Sequence, residues 1–145
     1  MIRESFNTLF NATLTSSLVA GTELNLGKAF TTGEAGHWIG ESFNTMAGKN
    51  CKLVAYVTAV AEGEVTADAV IEVKTKQTPA TFDNGRSNAT LATAHTIATY
   101  TIPKEKMMVG KVAEFVLGDD VENFIQVSAK GDAKVTLRVE FVPYA

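Results

Sequence analysis

The chain has 145 residues, 13 basic and 16 acidic side chains, a net charge of −3 and one cysteine. This length suits one domain that buries roughly 68–70% of the surface its unfolded form exposes, so no staple is required. Lys and Arg stand singly, leaving no basic footprint for nucleic acid, and no run approaches the roughly 18 apolar residues of a membrane span.

The opening residues, MIRESFNTLFNATL, carry Arg3 and Glu4 and lack the continuous apolar stretch of a signal peptide. Cys51 has no partner for an intrachain disulfide, which fits a reducing compartment or indifference to redox state, and assembly in the cytoplasm is the simpler expectation. Ile2, Phe6, Leu9 and Phe10 form an apolar set on a short arm, residues 1–11. Such an arm either straps across the domain or docks on a neighbour.

Two short strands are expected at 12–18 (ATLTSSL) and 22–26 (TELNL), joined by a turn at Ala20-Gly21. A long loop, residues 27–50, follows with five of the eleven glycines and with His37, Trp38 and Phe43; its 37–43 segment is a further, weak strand signal. Residues 51–60 (CKLVAYVTAV) and 66–76 then alternate apolar and other side chains with the period of a strand. Both faces of 51–60 are fairly apolar, which places it centrally in its sheet. Glu62-Gly63-Glu64 between the two strands reads as a hairpin turn. Loop 77–88, with Pro79 and Asp83-Asn84-Gly85, is longer and reads as a crossing between sheets.

A strand at 90–101 ends at Pro103, and Lys104 to Gly110 is expected to make one helical turn. Strands at 111–117, 123–128 and 133–142 complete the chain. About eight strands, without a Pro- or Ser-rich linker or an internal repeat, predict a single all-β domain over 1–145: a Greek-key β-sandwich, jelly-roll-like.

Residues suited to covalent or metal chemistry are sparse. His37 and His95 share no metal-binding spacing with one another or with Cys51. His95 falls within an alternating strand and reads as a half-buried or interface side chain. Asp119, Asp120, Glu122 and Asp132 are acidic, but they lack the ligand spacing of a calcium loop and read as solvated turns. Glu72 and Glu114 read as outward members of their strands, not as paired glycosidase carboxylates. The sequence contains no G-x-S-x-G elbow and no Gly-rich phosphate loop. The sequons at Asn11 and Asn88 are read as chance, given the absence of a secretory signal. No enzyme, metal or cofactor is expected.

Several stretches together resemble the small cement or decoration proteins on the outside of tailed-bacteriophage capsids. They are T-E-L-N-L-G at 22–27, the strand pair across 51–76, A-T-Y-T-I-P at 98–103, Met-Met-Val-Gly-Lys at 107–111, E-F-V-L-G at 114–118 and N-F-I-Q-V at 123–127. The resemblance implies a jelly-roll fold and a non-enzymatic role. Homo-oligomers, dimers or trimers, would clamp neighbouring major capsid subunits on the virion exterior. The Gly-rich aromatic loop at 33–48 departs from the compact pattern, as a capsid-contact insertion or something unrelated. Phe6, Phe10, Trp38 and Phe43 are the expected contact anchors, because aromatic groups concentrate binding energy at interfaces. The alternative is a carbohydrate- or receptor-binding sandwich module. It requires an exposed aromatic platform, and the chain has one Trp and three Tyr with which to build it. A cupin-like enzyme would need clustered histidines, which the sequence does not supply.

Overall fold

The computed structural model describes residues 8–25, 51–76, 94–118, 120–122 and 124–143. Among the described residues nine strands occur in chain order: β1 Thr8–Thr13, β2 Val19–Ala20, β3 Leu24–Asn25, β4 Cys51–Val60, β5 Ala69–Lys76, β6 His95–Ile102, β7 Gly110–Val116, β8 Phe124–Lys130 and β9 Val135–Pro143. They form two antiparallel sheets that pack face to face as a β-sandwich. One sheet has the order β1-β9-β4-β7. The other has the order β2-β8-β5-β6, and β3 continues the β2 edge by pairing with the same strand β8.

The period-two pattern selects the core. Leu53, Ala55 and Val57 of β4 face Ile71 and Val73 of β5, Ile125 and Val127 of β8, and Leu137, Val139 and Phe141 of β9, in one apolar cluster. Each fully buried Leu, Ile or Val there contributes roughly 1.5–3 kcal/mol relative to an exposed position. β4 lies between β9 and β7, the central place its two apolar faces imply.

Two connections run opposite to expectation. β4 and β5 do not form a hairpin, since they belong to different sheets, and residues 61–68 carry the chain from one to the other. Gly63 does adopt a positive φ of 113°, but as part of this arc. The segment between β5 and β6 is not a crossing, because the two strands pair antiparallel in one sheet, Ile71 opposite Tyr100. The helical turn after Pro103 is present as a 3₁₀ turn over Lys104–Lys106. Gly110, φ 128°, then opens β7.

The N-terminal region also differs. β1 begins at Thr8, not at residue 12, so the last part of the expected arm is a sheet strand beside β9. A register shift between Thr8 and Phe10 places a bulge at Leu9, and a bulge lets two consecutive side chains face the same way. Leu9 and Phe10 therefore both enter the core. Ala20-Gly21 is not a hairpin turn but the break between β2 and β3, where Gly21 N–H donates to Val127 O and Thr22 N–H to Leu9 O, each at 2.8 Å.

Candidate functional site

The strand directions give the sandwich two unlike ends. At one end lie the short connections 14–18, 61–68, 103–109 and 131–134. At the other end β1 starts, β3 stops, β4 starts, β5 stops, β6 starts, β7 stops, β8 starts and β9 stops, as the registers require.

The short-connection end is tied by specific hydrogen bonds. The Asp132 carboxylate accepts from Thr66 N–H at 2.8 Å, Thr66 Oγ1 at 3.1 Å and Lys134 N–H at 2.8 Å. These backbone donors favour the ionised form and hold the carboxyl at about 2, well below its ordinary value. Ala61 N–H donates to Lys134 O, Gly131 N–H to Thr15 O, and Lys104 N–H to the Asp68 carboxylate, all at 2.8 Å. Asp132 is thus a structural clamp between the β4–β5 arc and the β8–β9 turn.

The opposite end carries a different polar group. Thr75 Oγ1 donates to Phe124 O at 2.7 Å and accepts from Glu122 N–H at 2.8 Å. Glu122 Oε1 lies 3.3 Å from His95 Nε2, and Lys76 pairs with Glu23 at 2.7 Å. His95 is exposed at this mouth of the sheet instead of half-buried. Glu122 and Asp132 flank β8, whose seven residues separate them by roughly 20 Å at about 3.3 Å per residue, so the acidic residues do not converge. Among the described residues no group of three His, Cys, Asp or Glu is placed to hold a metal ion. Among them, too, no helix is long and apolar enough to cross a membrane.

Of the four expected anchors, Phe10 is 3% exposed and packs in the core, so it has almost no area to offer a partner. Phe6, Trp38 and Phe43 lie outside the described residues. The segments that hold them, 1–7 and 26–50, join the sandwich at β1, β3 and β4, all at the His95–Glu122 end. Residues 77–93 join the same end, at β5 and β6.

The aromatics of the strands do not make a platform. The Tyr100 ring stacks on Phe115 across the two sheets, with centroids 4.0 Å apart and planes 9° from parallel. Burial, and secondarily the Asp120 carboxylate, push its phenol up. Tyr56 lies beneath the Arg138 guanidinium, 4.9 Å from its ring centroid.

Two side features remain. An open groove of about 510 Å³ runs between β1 and the β2 edge, lined by Leu9, Phe10, Ala12, Val19 and Gly21 among others. On the opposite flank, Met108, Val109 and Val116 are exposed around β7. Sequence reading missed this flank, although the run Phe115-Val116-Leu117 carries the signal, because three consecutive apolar residues in a strand cannot all face one core. Comparison of the chain with family models, with curated proteins and with solved structures finds no match among any of the three.

Proposed function

We propose that the chain is a non-enzymatic structural protein, a capsid cement or decoration protein of a tailed bacteriophage. In this reading it stabilises the head from the virion exterior by binding neighbouring major capsid subunits as a homo-oligomer. The observation that carries the reading is the separation of the two ends. One end is closed by short arcs and the Asp132 clamp. The other receives the segments that hold Phe6, Trp38 and Phe43. A sandwich whose longer segments all join it at one end is suited to attachment, since binding residues concentrate on segments anchored to a scaffold.

The strand order supports reading the sandwich as a jelly roll. Successive strands alternate between the sheets except at β2–β3, which share one edge, and at β5–β6, and β9 enters between β1 and β4 while β8 enters between the β2–β3 edge and β5. Two interleaved Greek keys have this order. A protein that binds the assembled shell but not free subunits stabilises the shell by its binding free energy, and interfaces of about 1,200–2,000 Å² suffice for specific attachment.

The test is to add the purified chain to shells assembled from the major capsid protein encoded in the same genome and to follow co-sedimentation and shell melting. Binding with a raised shell melting temperature is the expected result. Trp38→Ala is expected to weaken binding while leaving the melting of the isolated chain unchanged. Shells that neither bind the chain nor gain stability, together with binding to a glycan array, would replace this reading by the carbohydrate-binding one.

A further inference from the structure

We infer that β7 is a self-association edge. Two copies pair antiparallel through Gly110–Phe115, with Lys111 of each opposite Glu114 of the other and Val116 beside the residue that precedes the strand, so that the β1-β9-β4-β7 sheet continues from one copy into the next. This inference goes beyond the capsid reading and does not depend on it.

β7 ends its sheet, and among the described residues its outer edge pairs with none. Edge strands are ordinarily kept short, bent or charged to discourage pairing. β7 is seven residues long, and its flanking side chains are apolar and open: Val109 and Met108 are each 70% exposed and Val116 is 64% exposed. Its two charges, Lys111 and Glu114, have opposite sign.

A bulge makes the register self-complementary. Ala55 of β4 stands opposite Ala113, whereas Tyr56 stands opposite Lys111, so Val112 is the extra residue on β7. Val112 and Ala113 consequently both pack towards the core. Lys111 and Glu114, three apart, are thereby brought to the same outer face, where they lie 3.3 Å from one another. In a regular strand residues three apart face opposite sides, and a two-fold pairing of 111 with 114 would set an outward residue against an inward one. The bulge removes that mismatch.

The same register sets Val109 of each copy opposite Val116 of the other, so both charges and both exposed valines find complements in a single alignment. Glu114 also holds Lys52 of its own chain at 2.9 Å, and the lysines keep its carboxyl ionised below the usual range. The neighbouring edge strand β6 faces outward with Thr96, Thr99 and Thr101, which select no register.

The experiment is sedimentation equilibrium of the full chain over a wide concentration range, with Lys111→Glu and Glu114→Lys measured singly and mixed. A wild-type dimer is expected, with each single variant dissociating about tenfold more readily or beyond, since two opposite-charge pairs become like-charge pairs. Mixing the two variants is expected to restore the dimer, because each then meets the other's complement. Circular dichroism melts establish that both variants fold. Should Glu114→Lys fail to fold through loss of its Lys52 bond, the double variant Val109→Cys/Val116→Cys in a Cys51→Ser background serves instead, and oxidation is expected to give a covalent dimer. A wild-type chain that stays monomeric at every concentration would overturn the inference. So would a dimer indifferent to both charge variants, a mixture that fails to re-form, or cysteines that do not cross-link.

Discussion

Replacing Gly21 by alanine is the sharpest test of how the two sheets are joined at the β1 edge. A Cβ at this position would lie 1.9 Å from the Leu9 carbonyl oxygen and 3.0 Å from both Leu9 C and Val127 O. All three atoms are backbone, so no side chain can swing aside. Relief requires β1 and the β2–β3 edge to separate, which strains the two 2.8 Å bonds from Gly21 N–H to Val127 O and from Thr22 N–H to Leu9 O. Losing two such bonds costs about 2–3 kcal/mol at roughly 1–1.5 kcal/mol each. In a domain of this size that lowers the melting temperature by about 5–10 °C. The assay is a thermal melt followed by far-ultraviolet circular dichroism, with Gly110→Ala as the comparison. Gly110 has a positive φ of 128° but nothing within 4 Å of a Cβ, so its cost is conformational alone, about 1 kcal/mol. A Gly21→Ala protein that melts within a degree of wild type would refute the close approach of β1 to β2.

Phe10→Ala is expected to destabilise the isolated chain by about 3–5 kcal/mol, as removal of a buried aromatic does; a chemical-denaturation midpoint close to wild type would return Phe10 to the surface. Ile71→Ala, at the fully buried centre of β5, is expected to cost about 2–5 kcal/mol by the same measurement, whereas Thr99→Ala on the outer face of β6 stays near zero. Asp132→Asn removes an ionised acceptor whose folded-state value, about 2, lies below its ordinary 3.8. The stabilisation it gives is therefore complete above the unfolded value and is lost as the pH falls through the folded one. Denaturation midpoints of wild type and Asp132→Asn should differ by a constant amount near neutral pH and converge from about pH 4 towards 2; a gap that persists at low pH would deny the carboxylate this role.

Alternation made β4, β5, β7, β8 and β9 legible within a few residues, because each has one face on the core. Pairing was not legible. Periodicity reports which way a side chain points, not which strand lies beside it. The β4–β5 link reads as a hairpin because a strand expected from residue 66 leaves only a short turn at Gly63, yet Thr66 is held by Asp132, 66 residues later in the chain, and β5 starts only at Ala69. β1 was misplaced because Leu9 and Phe10 break the period-two rule, and the bulge that accommodates them depends on β9. The outward expectation for Glu72 and Glu114 agrees with their exposure, 22% and 39%. Phe10, expected at an interface, illustrates the weakness of composition alone: an aromatic near a terminus is equally suited to closing the core.

The position of β9 constrains how the chain acquires its structure. Among the described residues it is the last strand, yet it lies between the first, β1, and β4, and pairs with both along most of its length. During synthesis β1 and β4 leave the ribosome well before the strand that unites them, and β1 must remain unpaired on that side until β9 emerges. Such sequence-distant pairing makes folding slow, with exposed strand edges in the interval. Premature stops ahead of residue 135 would therefore leave one entire sheet without its organiser and should be cleared by proteolysis, whereas stops beyond residue 143 spare it.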